Sequence, residues 1–181
     1  MMTNEVNISL PERQLFEKVY DEYFDKVNQY LRYRVQNTWD ADDLTAQVFI
    51  KAYEHFAQCR NPEKVGSWIF QIAHNTYVDY LRKKKDHLPL DEQMAVTKEQ
   101  SQPEQMALIS AEIGCLKSCL EQLPQEQRDV LLLRYFGDLK YQHIAEILGK
   151  KDATVKTMGF RALGKLRDLF TNRWGGETNG R

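Results

Sequence analysis

Only three cysteines occur in the chain, Cys59, Cys115 and Cys119. An odd number argues against a disulfide framework. The opening MMTNEVNISLPERQ has neither a basic start nor an apolar h-region, so no export signal is expected and the thiols should stay reduced in a cytoplasm. Cys115 and Cys119 stand one helical turn apart, but no histidine or third cysteine lies near them in sequence. They read as small hydrophobes rather than zinc ligands. No apolar run approaches the ~20 residues that span a bilayer, which excludes direct membrane insertion from the expectations. The four histidines, His55, His74, His87 and His143, are scattered singly. With no HExxH and no glycine loop to cradle phosphate, a hydrolase built on Asp40, Asp42 and Asp43 has little support. No catalytic residue, metal or cofactor is expected. Strand-like alternation of useful length and internal repeats are also missing.

What is present is helical periodicity. At 181 residues with 42% hydrophobic and 28% charged residues, the chain suits one or two small cores. Its net charge of −1 does not exclude a nucleic-acid partner. Groove binding needs a local basic surface, which a whole-chain sum averages away. Pro11 suits a first helical turn. Phe16, Val19, Tyr20, Tyr23, Phe24, Val27, Tyr30 and Leu31 then form a broad stripe. Asp40 is the expected N-cap of a second helix carrying Leu44, Val48, Phe49, Ala52, Tyr53 and Phe56. Cys59 to Gly66 reads as a loop from its Asn-Pro and closing Gly. A third helix from Ser67 to about Lys85 places Trp68, Ile69, Ile72, Ala73, Thr76 and Tyr80 on one side. It ends in Arg82, Lys83, Lys84 and Lys85, cations suited to the negative end of the helix dipole.

From Asp86 to Gln105 the chain turns polar and acid-biased, with Pro89 and Pro103 and no stable period, the composition of a linker. Fully extended it would reach ~60–70 Å. Ile109, Ile113, Leu116, Leu120 and Leu123 resume a helical stripe. Pro124 opens another helix with the apolar run Val130 to Leu133, and Gly137-Asp138 makes a turn. Next comes YQHIAEILGKKDATVKTMGFRALGKLR, Tyr141 to Arg167. Tyr141, Ile144, Ala145 and Leu148 share a face, Gly149 stops that helix, and Asp152 is the expected N-cap of the next. In the last helix Val155, Met158, Ala162, Leu166 and Leu169 point inward. Thr154, Lys156, Thr157, Arg161 and Lys165 occupy the other faces, with no carboxylate before Asp168. Two helices, a short turn and a cationic outer face match a helix-turn-helix that enters a DNA major groove. An ordinary αα-hairpin with a solvated charged face is the plainer alternative.

Four motifs in this order resemble those of an extracytoplasmic-function (ECF) sigma factor, the small two-domain class of bacterial RNA polymerase specificity subunits. They are DADDLTAQVFIKAY (Asp40–Tyr53), SWIFQIAHNTYVDYLRKKK (Ser67–Lys85), LPQEQRDVLLLRYFGDLKYQHIAEILG (Leu123–Gly149) and ATVKTMGFRALGKLR (Ala153–Arg167). The resemblance spans roughly Leu15 to Leu169. It implies an all-α fold in which sigma region 2 occupies 10–86, a flexible acidic linker 87–106, sigma region 4 107–173, and a disordered tail 174–181. By resemblance the acidic-motif helix binds the polymerase β′ clamp through Asp40, Asp42, Asp43, Gln47 and Phe49. The family usually has Gln-Glu where this chain has Ala46-Gln47, so one carboxylate is missing. Arg60, Asn61, Glu63, Lys64 and Asn75 are implied in −10 recognition and base capture, with Lys83 and Lys84 on phosphate, whereas Trp68 reads as core. Arg134, Tyr141, Thr154, Lys156, Thr157, Phe160, Arg161 and Lys165 are implied in −35 recognition. Many members carry Arg and Leu where Met158 and Gly159 stand. Met158 is expected to turn inward, and Gly159 to weaken the helix by ~1 kcal/mol relative to Ala while letting backbone approach DNA closely.

The implied partners are core RNA polymerase (β′ clamp and β flap), promoter DNA and a cognate anti-sigma factor. A stand-alone helix-turn-helix regulator would explain the second module but neither the Asp40 motif nor the loop-plus-Asn75 arrangement. An adaptor that binds polymerase without opening promoters would not use Asn75.

Overall fold

The computed structural model describes residues 10–35, 37–59, 61–87 and 104–174. They form two compact units: α1–α3 in the first and α4–α7 in the second. The first unit holds α1 (Leu10–Arg32), α2 (Thr38–Glu54), two 3-10 turns (Phe56–Gln58 and Pro62–Lys64) and α3 (Val65–His87). The second holds α4 (Glu104–Glu121), α5 (Gln125–Tyr135), α6 (Tyr141–Leu148) and α7 (Asp152–Trp174). Most of the expected linker, residues 88–103, lies outside the described residues, as does the tail 175–181. Helix α3 runs to His87 and α4 opens at Glu104, so helix reaches into both ends of the segment read as linker. Among the described residues no helix is long and apolar enough to cross a membrane.

In the first unit the three helices pack pairwise on one another. Phe16, Val19, Val27, Tyr30 and Leu31 bury the α1 stripe as its spacing predicts. An aromatic cluster joins α1 to α2. Phe16 stands edge-on to Tyr53 and Phe56 at centroid distances of 5.1 and 5.2 Å, and Phe49 lies 4.8 Å from Tyr20 and 5.7 Å from Phe24. Such pairs add about 0.5–1.5 kcal/mol each beyond their buried area. The N-cap of α2 is Asn37, not Asp40. Asn37 is extended and its side chain accepts from the Trp39 N–H at 3.0 Å. Asp40 falls within the first turn, where a carboxylate still favours the helix dipole.

The buried side of α3 is Ile69, Phe70, Ala73, Thr76 and Tyr77. It is rotated by about one residue from the expected stripe, because Phe70 and Tyr77 point into the core while Ile72 and Tyr80 are half-buried. A buried cation lies at this face. Arg34, 8% exposed, is held between the Tyr30 and Tyr77 rings at 4.8 and 4.6 Å and donates to Tyr30 Oη at 2.6 Å. A guanidinium stacks on ring faces, and the inward Tyr77 ring supplies one of them. Gly66 lets the start of α3 press on Tyr23; a Cβ there would sit 2.9 Å from Tyr23 Oη.

In the second unit α7 packs on α4, α5 and α6. Val130, Leu132, Leu133, Ile144, Val155 and Ala162 are its deepest apolar side chains. Arg128 donates to the carbonyls of Glu121 and Leu123 at 3.3 and 3.4 Å, satisfying orphan acceptors at the end of α4. Gly149, at φ 62°, stops α6 through bonds from its own N–H to Glu146 and from the Lys150 N–H to Ala145, the double closure of a Schellman motif. The connection between α5 and α6 uses Asp138 at φ 49°, a left-handed residue adjoining Gly137. Ile113 and Leu163 remain half exposed beside a shallow apolar groove of about 380 Å³ shared with Leu116, Leu166 and Phe170.

His74 sets the acid limit of the first unit. Its Nδ1 lies 3.4 Å from Tyr30 Oη, and burial, then the Arg34 charge, depress the imidazole from 6.5 to about 4. The unfolded chain takes this proton first, so stability is full above about pH 6.5 and falls as pH drops towards 4. The expected loss through this group is on the order of 2 kcal/mol, allowing for a partly solvated site. Urea unfolding between neutral pH and about pH 4 should show a steeper slope for the wild type than for His74→Gln. Equal slopes would contradict the assignment.

Candidate nucleic-acid interface

The three aspartates at the start of α2 have different occupations. Asp40 accepts from Tyr80 Oη at 2.7 Å, joining α2 to α3. Burial and that bond both raise the Tyr80 phenol. Asp42 belongs to a polar clasp between α1 and α2. Asn28 donates to it at 2.9 Å, Arg32 reaches it at 3.1 Å, and Arg32 Nε donates to Asn28 Oδ1 at 2.7 Å. The Asn28 amide, followed by Arg32, holds the Asp42 carboxyl below its ordinary range. Asp43 faces outward and is bonded by Gln47 of the next turn at 2.7 Å. Only this third carboxylate meets solvent without a tie to another helix. Phe49 is 5% exposed within the aromatic cluster, so a surface contact by Phe49 is corrected to a core role. Trp39 and Ile50, 79% and 58% exposed, bracket the Asp43–Gln47 pair and were missed. Their signal was helical spacing: Trp39, Asp43 and Gln47 recur every fourth residue, with Ile50 close behind.

Along α3, Asn75 is exposed, with its Oδ1 accepting from Gln71 at 3.1 Å. It lies about 15 Å along the helix from Val65. Arg60 lies outside the described residues. Asn61 is exposed and caps the second 3-10 turn by accepting from the Glu63 N–H at 3.0 Å, and Glu63 and Lys64 are exposed on that turn. Lys83 is exposed near the end of α3, and Lys84 lies 5.6 Å from the Tyr80 ring centroid. Trp68 is half-buried, 6.4 Å from Phe56.

Helices α6 and α7 form the helix-turn-helix. Thr154, Lys156, Thr157, Phe160, Arg161 and Lys165 are all exposed, and Phe160 at 84% is the most exposed large apolar side chain described. Met158 is half-buried. Gly159 points inward: a Cβ there would meet Tyr141 Cε1 at 2.8 Å and its Oη at 3.0 Å. The close approach at Gly159 is therefore to the Tyr141 ring of α6, and this corrects the expectation of a backbone approach to DNA. Arg134 lies over the other side of the motif, 5.6 Å from the Tyr141 centroid. A cleft of about 300 Å³ collects Arg134, Lys140, Tyr141, Gln142, Asp152 and Lys156. Three of these were expected; Lys140, Gln142 and Asp152 were not. Asp152 is the first helical residue rather than the cap, and its Oδ2 pairs with Lys156 Nζ at 2.7 Å. Lys150 ties the turn to α5 through Glu126 at 2.7 Å.

The sigma-70 region 2 model matches residues 19–87 and the sigma-70 region 4 model residues 113–166. RNA polymerase sigma factor YlaC of Bacillus subtilis (strain 168) is 30% identical over 165 residues, covering 90% of this chain and 95% of YlaC. ECF RNA polymerase sigma factor SigW of the same organism is 31% identical over 172 residues, covering 87% of this chain and 92% of SigW. The solved sigma factor RpoE, in complex with the anti-sigma factor NepR from Bartonella quintana, is similar in fold. Its TM-score is 0.67 at 20% identity, covering 86% of this chain and 96% of that one. The chain belongs to the ECF RNA polymerase sigma factors of the sigma-70 family.

Two stability outcomes follow from these placements. Phe49→Ala should cost about 3–5 kcal/mol in urea unfolding, whereas Asp43→Ala should stay within about 0.5 kcal/mol. A small loss for Phe49→Ala would return that ring to the surface. Gly159→Ala gains about 1 kcal/mol of helix propensity and pays an overpacking cost of about 1–3 kcal/mol against Tyr141. The net expectation is a small fall in Tm with a changed near-ultraviolet tyrosine signal. An unchanged signal would mean the ring does not contact position 159.

Proposed function

We propose that this chain directs promoter-specific initiation by core RNA polymerase, its first unit docking on the β′ clamp and opening the −10 region while its second reads the −35 duplex. The observation that carries the reading is the outward face of α7, where hydroxyls, cations and an exposed Phe160 stand together over an apolar inner face. Arg161 and Lys165 have no ion-pair partner among the described residues and are free to meet phosphate or guanine, and Phe160 suits a thymine methyl. Arg134, Tyr141, Thr154, Lys156 and Thr157 complete that surface.

In the first unit, Asp43 and Gln47 offer a polar surface to Arg or Lys of the clamp, flanked by Trp39 and Ile50. Asp40 and Asp42 act through the shape of α2, since both carboxylates are engaged with neighbouring helices. Asn75 presents an amide suited to an unstacked base edge, Arg60, Asn61, Glu63 and Lys64 are assigned to the same −10 element, and Lys83 and Lys84 to phosphate. We assign the apolar groove of Ile113, Leu116 and Leu163 to the β flap. The acidic segment 87–106 joins domain 10–86 to domain 107–173. In this reading nucleotidyl transfer belongs to the polymerase, and the protein works where the polymerase does, in the cytoplasm. An anti-sigma factor, the kind of partner with which the Bartonella RpoE was solved, is the expected inhibitor.

In-vitro transcription with bacterial core enzyme tests this. Asp43→Arg should weaken core association by about tenfold. Asn75→Ala should keep core association and lower open-complex formation by roughly five- to hundredfold. Unchanged transcription by Asn75→Ala would favour an adaptor. Tight specific duplex binding by the lone chain, indifferent to polymerase, would favour an autonomous regulator.

A further inference from the structure

The second unit carries a pair of thiols that the promoter-reading surface does not use. Cys115 and Cys119 stand one turn apart on α4, and both are free of disulfides. Cys119 is fully buried, whereas Cys115 is half-buried. A small apolar core residue accounts for the first and not for the second. The helix surface around Cys115 is low: Ala111, one turn earlier, is exposed, and a Cβ at Gly114 would meet open space. The Cys119 thiol is hydrogen-bonded to Cys115, which holds the two sulfurs at contact distance. On the far side Ser118 accepts from Arg173 Nη1 of α7 at 2.8 Å. The result is a bonded dithiol, reachable from solvent at one sulfur and packed at the other.

We propose that Cys115 and Cys119 form a chelating site for trivalent arsenic, as arsenous acid or a monosubstituted arsonous acid, with the arsenic bridging the two sulfurs. The step balances. At each sulfur one S–H and one As–O bond break, one As–S bond forms, and the proton leaves with hydroxide as water, with no change of oxidation state. A disulfide fits less well. It needs Cβ atoms about 3.5–4.5 Å apart, whereas residues one turn apart on a helix hold theirs at about 5–6 Å. A bridging atom adds a bond to the span, so sulfurs at contact distance are linked with α4 intact. Zinc takes four protein ligands in a structural site, and among the described residues no group of three or more His, Cys, Asp or Glu side chains is placed to hold a metal. A divalent ion held by two thiolates would also release both thiol protons. Burial, then the neighbouring Cys115, push the Cys119 thiol up, against the opposing Arg173 charge, so that release is costly. The arsenical avoids this cost because its hydroxides carry the protons away, and its product is uncharged. Trivalent arsenic completes its three bonds with its own hydroxyl or organic group, and Gly114 leaves open space beside Cys115. The half-buried Cys115 meets the ligand first, and Cys119 closes the chelate.

The test uses the full reduced chain and phenylarsine oxide, with excess glutathione as a competing monothiol. Intact mass should show one phenylarsenic group retained by the native protein. Cys115→Ser should weaken retention by about 10²–10⁴-fold, the gain expected when a second bond forms within one molecule. Cys119→Ala should do the same, with circular dichroism to check that each variant is folded. Cys115→Ser changes only the half-buried thiol and decides the matter should Cys119→Ala fail to fold. Cys59→Ser should bind as the wild type does. The proposal is overturned if glutathione strips the arsenical from the wild type, if Cys115→Ser retains it as firmly, or if Cys59→Ser loses it. A Cys115–Cys119 disulfide formed in the native chain by diamide would also overturn it, assigning the pair to redox chemistry instead.

Discussion

Helix α7 approaches the ring of Tyr141 so closely at Gly159 that a Cβ there would sit 2.8 Å from the ring, and the ring would have to shift to admit it. The contact fixes where the recognition helix crosses α6, and with it the floor of the cleft. Val155 and Ala162, both fully buried, seat the same face on either side of Gly159. Small residues along one line bring the two helices together, and the long polar side chains are then displaced to the opposite face. Arg134 lies over the same Tyr141 ring, 5.6 Å from its centroid. A glycine that costs helix propensity is retained where the second unit needs contact rather than a side chain.

The first unit solves a different problem with polar ties. Tyr80 with Asp40, and Asn28 and Arg32 with Asp42, bind α2 to its two neighbours at the end that carries the acidic motif. These bonds are partly exposed and individually modest, so their effect is on orientation more than on stability. The aromatic cluster around Phe49 supplies the apolar contact beneath them. Asp43 is left outward on a helix whose rotation is set from both sides. The acidic motif thus divides into two residues tied to neighbouring helices and one, Asp43, that faces solvent.

Arg34 and His74 are a buried cation and a neutral imidazole in the same region of the core. Two ring faces and the Tyr30 hydroxyl take the place of water around the guanidinium. The imidazole loses its charge because burial and that same guanidinium oppose protonation.

Much of the architecture was legible in the amino-acid order. Periodicity located all seven helices to within a few residues, separated two modules, and put Thr154, Lys156, Thr157, Arg161 and Lys165 on an outer face, because a residue's place on a helix is fixed by its spacing alone. Spacing could not say which neighbour covers a face. It therefore missed the rotation of α3 that buries Phe70 and Tyr77 and the inward aim of Gly159, whereas Phe49, on the apolar stripe by its spacing, was put at the surface only by the resemblance. It also offered Asp40 and Asp152 as helix caps, where each lies in the first turn and has a side-chain partner. Those distinctions depend on hydrogen-bond partners and ring contacts brought from distant parts of the chain, and only the packing of one helix on another supplies them.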